Sequence, residues 1–116
     1  MIPSCETLLA GLRFYARRHR LPARYDEPAI AAALGEAQSL AREEREEPAA
    51  LFFACSRRSR AFCGTAGQLV PMIARAHARA IGVELGVEDL EMEILRARVL
   101  LGAVDFAEIR ERFLRS

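Results

Sequence analysis

Residues 48–85 read PAALFFACSRRSRAFCGTAGQLVPMIARAHARAIGVEL, and this stretch decides the fold. Residues 49–55 are apolar on every side of a helical wheel, which indicates a helix enclosed by other helices. Three arginines end the apolar run, and the small residues 64–67 follow them. From Leu69 to Ile81 the pattern is amphipathic again. The stretch therefore predicts two central helices joined by a tight, small-residue loop.

The composition is that of one globular domain. The chain has 116 residues, enough for a single core, so we expect one helical domain over residues 1–116. Hydrophobic residues make up 52% of the chain, and the formal net charge is +1, which gives no electrostatic bias toward nucleic acid. No apolar run is long enough to span a bilayer or to serve as a signal peptide, so we expect a cytoplasmic protein without a membrane partner.

The apolar periodicity predicts an all-α fold of six helices without strands. Pro71 either marks the start of the fourth helix or bends its first turn. The charge-dense segment 41–47, AREEREE, is interpreted as a solvated helix end or linker. The predicted helices run from residue 4 to about 19, from 26 to about 41, from 48 to about 59, from 67 to 81, from 87 to 101, and from 105 through 113.

The fifth predicted helix carries apolar residues on two sides. One side must face the core, and the other needs cover from the last helix or from a partner chain. The two stripes are Leu90, Ile94, Ala97 and Leu101 on one side and Met92, Leu95 and Val99 on the other.

The cysteines and histidines do not form a recognisable catalytic or metal-binding pattern. Cys5, Cys55 and Cys63 are odd in number and widely spaced, which argues against a disulfide framework or a zinc knuckle. Cys55 is expected in the core, while Cys63 is a candidate nucleophile only if a histidine lies close to it. The fourth helix places Val70, Ile73, Ala74, Ala80 and Ile81 on the same face as His77, so we interpret His77 as a hydrogen-bonded structural histidine without an identified partner.

The loop at residues 64–67, GTAG, is a candidate anion-binding nest. Small residues allow a close approach to the backbone, and the first amides of a helix have no internal partner. Arg57, Arg58 or Arg60 would add positive charge. The alternative interpretation is a plain turn between packed helices. We find no paired carboxylates for acid–base catalysis and no metal-ligand cluster.

Taken in order, these segments resemble the Fic/Doc family, especially the small Doc-type toxins of bacterial toxin–antitoxin pairs. The resemblance covers about residues 8–114 and implies a compact six-helix bundle with a central helix–loop–helix. It rests on YDEPAIAAALGEAQ at 25–38, AALFFACSR at 49–57, RAFCGTAGQ at 60–68, IGVEL at 81–85, and the tail from 90 to 113.

The family's catalytic residues are not matched. In the family a His acts as base, an acidic residue holds magnesium, and Asn and Arg orient the nucleotide phosphates, within a signature H-x-F-x-D-G-N-K/G-R. An arginine is not a general base near neutral pH, and glycine has no side chain to ligate magnesium. The corresponding positions here hold Arg60, Gly64, Ala66 and Gln68, and only Phe62 and Gly67 agree.

Three hypotheses follow. The first is a catalytically silent Fic/Doc-like binding or regulatory module of a toxin–antitoxin-type system, with an antitoxin-like peptide or helix as partner. The second is an active transferase that moves phosphate or AMP from ATP to a protein hydroxyl, with the base supplied by the partner or substrate. The third is an unrelated all-α interaction domain whose fifth helix builds a homodimer. If ATP or another nucleotide binds, the residues that hold it are Arg60, Thr65, Ala66, Gly67 and Gln68.

Overall fold

The structure, a computed structural model, describes residues 1–115. The predicted all-α fold is confirmed, since these residues form six α-helices and no strand. Every predicted helix boundary lies within two residues of the observed one. Short 3₁₀ turns precede and follow the third helix, at Glu44–Glu46 and Ser59–Phe62. The helices are α1 Cys5–His19, α2 Glu27–Leu40, α3 Glu47–Arg57, α4 Ala66–Ile81, α5 Asp89–Leu100 and α6 Phe106–Phe113.

Short polar side chains fix where three of the helices begin. Ser4, Asp26 and Asp105 each accept a hydrogen bond from the backbone amide three residues further on, at 3.2, 3.2 and 3.0 Å. Each bond satisfies one of the amides that a helix start leaves without an internal acceptor. Gly82 ends α4 with φ 75°, a left-handed conformation that glycine adopts without steric cost.

Helix α3 is the centre of the molecule. It packs against α2, α4, α5 and α6, which explains why its sequence is apolar around the whole circumference. A helix with neighbours on one side only would need a polar face toward water. The residues of α3 buried in this way are Pro48, Ala49, Ala50, Leu51, Phe52, Ala54, Cys55 and Ser56.

The charge-dense segment between α2 and α3 is a linker, as interpreted, but it is not entirely solvated. Helix α2 ends at Leu40, and Ala41 is extended. Glu46 is buried and accepts a hydrogen bond from the backbone amide of Arg42 at 2.9 Å. Its carboxylate therefore holds the linker against the fold, whereas Glu43 and Glu44 are exposed.

Helix α4 begins five residues before Pro71, so the proline lies inside the helix. Its missing amide hydrogen leaves the carbonyl of Gly67 without the usual intrahelical donor, and Gly67 is exposed to solvent. The predicted core face is correct for Val70, Ile73 and Ala74 and wrong for Ala80, which is exposed.

Helix α5 turns the stripe of Met92, Leu95 and Val99 toward the core. Helix α6 buries Ile109 and Phe113 and packs against α3. It therefore does not cover the second stripe of α5, which stays exposed to solvent. Of the two alternatives for covering that stripe, the last helix does not provide the cover, because α6 is only eight residues long and its apolar face is used by α3.

Candidate functional site

The chain reverses direction between α3 and α4 at two residues. Cys63 has φ 48° and Gly64 has φ 86°, so both adopt the left-handed backbone conformation. The amide of Thr65 then donates to the carbonyl of Phe62 at 3.0 Å, and α4 begins at Ala66. The predicted tight corner after the arginines is therefore present.

The five residues predicted to hold a nucleotide lie along this corner and differ in their exposure. The hydroxyl of Thr65 donates to the carbonyl of Phe62 at 2.5 Å, and Ala66 is buried. Arg60, Gly67 and Gln68 are exposed. A ligand approaching the corner would therefore meet backbone amides, the Gln68 amide group and the Arg60 guanidinium, while the Thr65 hydroxyl is already used inside the turn.

A residue that the sequence did not indicate reaches the same corner. The guanidinium of Arg96, on α5, has Nη2 3.4 Å from the position that a Cβ atom on Gly67 would occupy. Its Nη1 lies 3.5 Å from the hydroxyl of Ser59, and its Nε is buried without a hydrogen-bond partner. No local pattern pointed to Arg96, because the contact depends on how α5 crosses the start of α4.

Two of the three arginines expected to add charge to the corner share one carboxylate. Glu36 on α2 accepts from Arg57 at 2.9 Å and from Arg58 at 3.1 Å. These ion pairs join α2 to the end of α3. Since one carboxylate offsets only one of these two charges and Arg60 makes no ion pair within residues 1–115, the segment keeps a net positive charge.

His77 has a partner that the sequence did not reveal. Its Nε2 lies 2.8 Å from Oε1 of Glu47, the first residue of α3, and its side chain is 9% exposed. Burial alone would raise the pKa of Glu47, but the hydrogen bonds and charges of His77 and of the Met1 amino group lower it below its ordinary value. The pair joins α3 to α4 and supports the interpretation of His77 as a structural histidine.

None of the cysteines is activated by a histidine. Burial raises the pKa of the Cys55 thiol to about 12, so it stays protonated in the core. Cys63 is exposed at the corner, but His77 is bound to Glu47 and His19 stacks on Tyr15 with ring centroids 4.2 Å apart. Residues 1–115 contain no group of three His, Cys, Asp or Glu side chains arranged to hold a metal ion.

An apolar concave feature lies between α1 and α4. This cavity, the α1–α4 groove, has a volume of about 400 Å³ and is lined almost entirely by apolar atoms. Phe14 stands at its edge with 58% of its surface exposed. The groove exists because α1 packs mainly against α2, which leaves an apolar strip of α4 uncovered. Representative lining residues are Leu8, Leu12, Phe14, Met72, Ala76 and Ala80.

Positive charge lies beside the groove. Arg79 is exposed on α4 between the lining residues Ala76 and Ala80, and Arg18 follows Phe14 by one helical turn on α1. Neither arginine forms an ion pair in the part of the chain that the structure describes. Arg75 is different, because it donates to Asp89 and to the carbonyl of Val87.

A second, more polar depression of about 610 Å³ shares Tyr15, Met72 and Ala76 with the groove. It extends along α4 toward Gln68 and includes Arg79. The apolar groove and the corner before α4 are thus connected by one continuous surface of α4.

Searches against family models, curated proteins and solved structures found no match to this chain. Each helix within residues 1–115 is too short or too polar to cross a membrane, the longest being α4 with 16 residues.

Proposed function

We propose that this chain is a protein-binding module that holds an amphipathic helix of a partner protein in the α1–α4 groove. The observation that carries the proposal is the exposed ring of Phe14 at the edge of a cavity with apolar walls. Covering such a surface contributes roughly 25 cal/mol per Å² of apolar area removed from water. The binding of a partner helix that covers Phe14 is therefore favoured by the removal of apolar surface from water.

The size of the groove suits a helix. Its lining residues on α1 extend from Thr7 to Tyr15, about 12 Å along the helix axis at the rise of an α-helix. That length accommodates about two turns of a partner helix, with apolar anchors at positions i, i+3 or i+4, and i+7. A small cofactor with several polar groups fits less well, because the groove offers almost no hydrogen-bonding atoms.

The positive charge beside the groove indicates that the partner helix carries acidic residues. Arg18 and Arg79 lie on the two helices that form the groove and make no ion pair within residues 1–115, while Asp89 and Glu93 line the same depression as Arg79. Acidic residues on the flanks of the partner helix would be attracted by both. Such complementarity accelerates association and excludes basic competitors, and it weakens as salt is added.

The module is proposed to act by binding rather than by catalysis. At the corner before α4, Arg60 and Gly64 stand where the family signature has its base and its magnesium ligand. In the setting that the Fic/Doc resemblance implies, the partner is an antitoxin-like helix or peptide of a toxin–antitoxin-type pair. That setting rests on the sequence resemblance alone, whereas the groove and its charges argue for helix binding independently of it.

Selection from a displayed library of helical peptides tests the proposal. The library randomises one face and both flanks of a helix of about 15 residues, long enough for the groove. We expect enriched peptides to carry an apolar stripe flanked by Asp and Glu. Measured by fluorescence anisotropy, their affinity should fall at least about tenfold, or 1.4 kcal/mol, for Phe14→Glu and for Arg79→Glu.

Leu90→Glu serves as the matched control, since Leu90 is also an exposed apolar residue but lies outside the groove. It should leave peptide affinity unchanged. Enriched peptides that bind the Phe14→Glu protein as well as the unmodified one would contradict the groove. Transfer of radiolabel from ATP with magnesium to an enriched peptide would contradict the non-catalytic part of the proposal.

A further inference from the structure

Exposed apolar surface is concentrated on α5. Six large hydrophobic side chains are exposed among the described residues, and four of them belong to this helix or follow it directly. Two of the four, Leu90 and Leu101, are 68% and 82% exposed, which is unusual for leucines at the two ends of one helix. The other two are Ile94 and Leu100.

The spacing of this exposed stripe is that of a helix–helix seam. Leu90, Ile94, Ala97 and Leu101 follow one another at intervals of four, three and four residues. This alternation is the spacing of the apolar positions that meet in a two-helix coiled coil. The stripe lies on the side of α5 opposite to the buried stripe, so the whole seam faces away from the core.

The charges beside the stripe indicate what covers it. Glu91 and Arg98 lie on the same flank of the stripe and on opposite sides of its midpoint, roughly 7 Å and 4 Å from it along the helix axis. When two copies of α5 pair in antiparallel orientation, each Glu91 faces the Arg98 of the other copy. Arg98 has no ion-pair partner within its own residues 1–115, and the carboxylate of Glu91 uses only Oε2 toward Arg112, at 2.7 Å.

We propose that α5 pairs with the α5 of a second copy of this chain, antiparallel about a two-fold axis. Ala97 lies near the middle of the seam, where its small side chain allows the two backbones to approach closely. Antiparallel pairing also places the negative end of each helix dipole beside the positive end of the other. Because this seam contains no residue of the α1–α4 groove, self-association and partner binding are independent.

The size of the seam predicts how tightly the copies associate. Helix α5 has 12 residues and is therefore about 18 Å long. Standard stable interfaces bury about 800 Å² on each partner, more than one helix face of this length provides. The dimer is accordingly expected to dissociate on dilution.

Sedimentation velocity over a range of concentrations tests the proposal. The unmodified chain should shift from monomer to dimer as its concentration rises. Ile94→Glu, which places a charge in the seam, should weaken the association at least about tenfold. Phe14→Glu is the matched control and should leave the association unchanged, because Phe14 lies in the groove. A chain that stays monomeric at millimolar concentration would overturn the proposal.

A charge exchange tests the antiparallel arrangement itself. Arg98→Glu places two glutamates opposite one another at both ends of the seam, and Glu91→Arg similarly places two arginines there. Each variant should be monomeric alone, and an equimolar mixture should form a heterodimer with both ion pairs restored. Arg112→Glu is combined with Glu91→Arg to preserve the ion pair between α5 and α6.

Two outcomes of these experiments would contradict the antiparallel pairing of α5. A mixture that does not associate more strongly than its separate components would overturn the antiparallel pairing. Loss of dimer in both Ile94→Glu and Phe14→Glu would show that α5 enters the groove of another copy, which would overturn pairing about a two-fold axis. As a control for folding, the circular dichroism spectrum of every variant should show the same helical content as that of the unmodified chain.

Discussion

At the corner between α3 and α4, two neighbouring residues adopt the left-handed conformation, but only one of them is glycine. Gly64 adopts φ 86° without steric cost, whereas Cys63 adopts φ 48° although it has a Cβ atom. Three residues later, Gly67 lies in the first turn of α4 with an ordinary helical backbone. The two glycines therefore have different structural roles despite their proximity in sequence.

Alanine substitutions should separate these roles. Gly64→Ala is expected to destabilise the fold by about 1 kcal/mol, because a Cβ atom is strained at positive φ even though no atom lies within 4 Å of it. Gly67→Ala is expected to stabilise the fold by about 0.5 kcal/mol, because alanine favours the helix. Urea unfolding measures both free energies.

The contact between Gly67 and Arg96 makes the second variant informative. A Cβ atom at Gly67 would meet only the end of the flexible Arg96 side chain, at 3.4 Å. If Gly67→Ala is destabilising to the same extent as Gly64→Ala, the guanidinium is held rigidly in its place. The assignment of different roles to the two glycines would then be wrong.

At the scale of helices, polar contacts join elements that are distant in the sequence. Glu47 at the start of α3 is bound to His77 on α4, and Glu36 on α2 is bound to Arg57 and Arg58 at the end of α3. The central helix is thus attached by ion pairs near both of its ends. The first of these contacts has a measurable dependence on pH.

Glu47 should make the protein less stable in acid. Its pKa is lowered in the folded state from the ordinary value of 4.5, because His77 and the amino group of Met1 outweigh the opposing effect of burial. The stability that it contributes is therefore present above about pH 4.5 and is lost as the pH falls through the folded pKa. At pH 7, Glu47→Gln is expected to cost about 1.5 kcal/mol in the free energy of unfolding.

Thermal or urea unfolding between pH 3 and pH 7 checks this prediction. The difference between Glu47→Gln and the unmodified chain should shrink toward the acidic end of that range. Glu43→Gln is a control, since Glu43 is exposed and pairs only with the exposed Arg45. A constant difference between the Glu47→Gln and unmodified chains at all pH values would show that the loss is one of packing rather than of charge.

Over the whole molecule, stability depends on how the other helices surround α3. Phe52 on α3 and Phe113 on α6 are both fully buried, and their ring centroids are 4.9 Å apart. This contact fixes the last helix to the centre. Helix α6 is further attached by the buried Ile109, by the Arg112–Glu91 ion pair and by the hydrogen bond from the Gly86 amide to the Phe113 carbonyl at 2.8 Å.

Phe52→Ala is expected to destabilise the protein by about 4 kcal/mol, from the lost burial and the cavity left behind. For a small domain with a total stability of about 5–15 kcal/mol, that loss is a large fraction. Phe14→Ala is the control with the same change of side chain at an exposed position, and we expect an effect below about 1 kcal/mol. Differential scanning calorimetry should show a much lower Tm for Phe52→Ala alone.

The sequence by itself determined the six helices, their ends and the buried position of α3. Caps at Ser4, Asp26 and Asp105 act within three residues, and the apolar periodicity of a helix is equally local, so both are visible without a fold. The corner before α4 was predicted for the same reason, since Gly64 marks it directly.

Only the tertiary structure decided which surfaces meet. The two stripes of α5 were equivalent in the sequence, and the packing against α3 turned one inward and left Leu90 and Ile94 exposed. The partners of His77 and the position of Arg96 also depended on how helices cross. Such contacts join residues that are far apart along the chain, and because the angles and distances between helices are set by the packing of the whole core, no local pattern contains them.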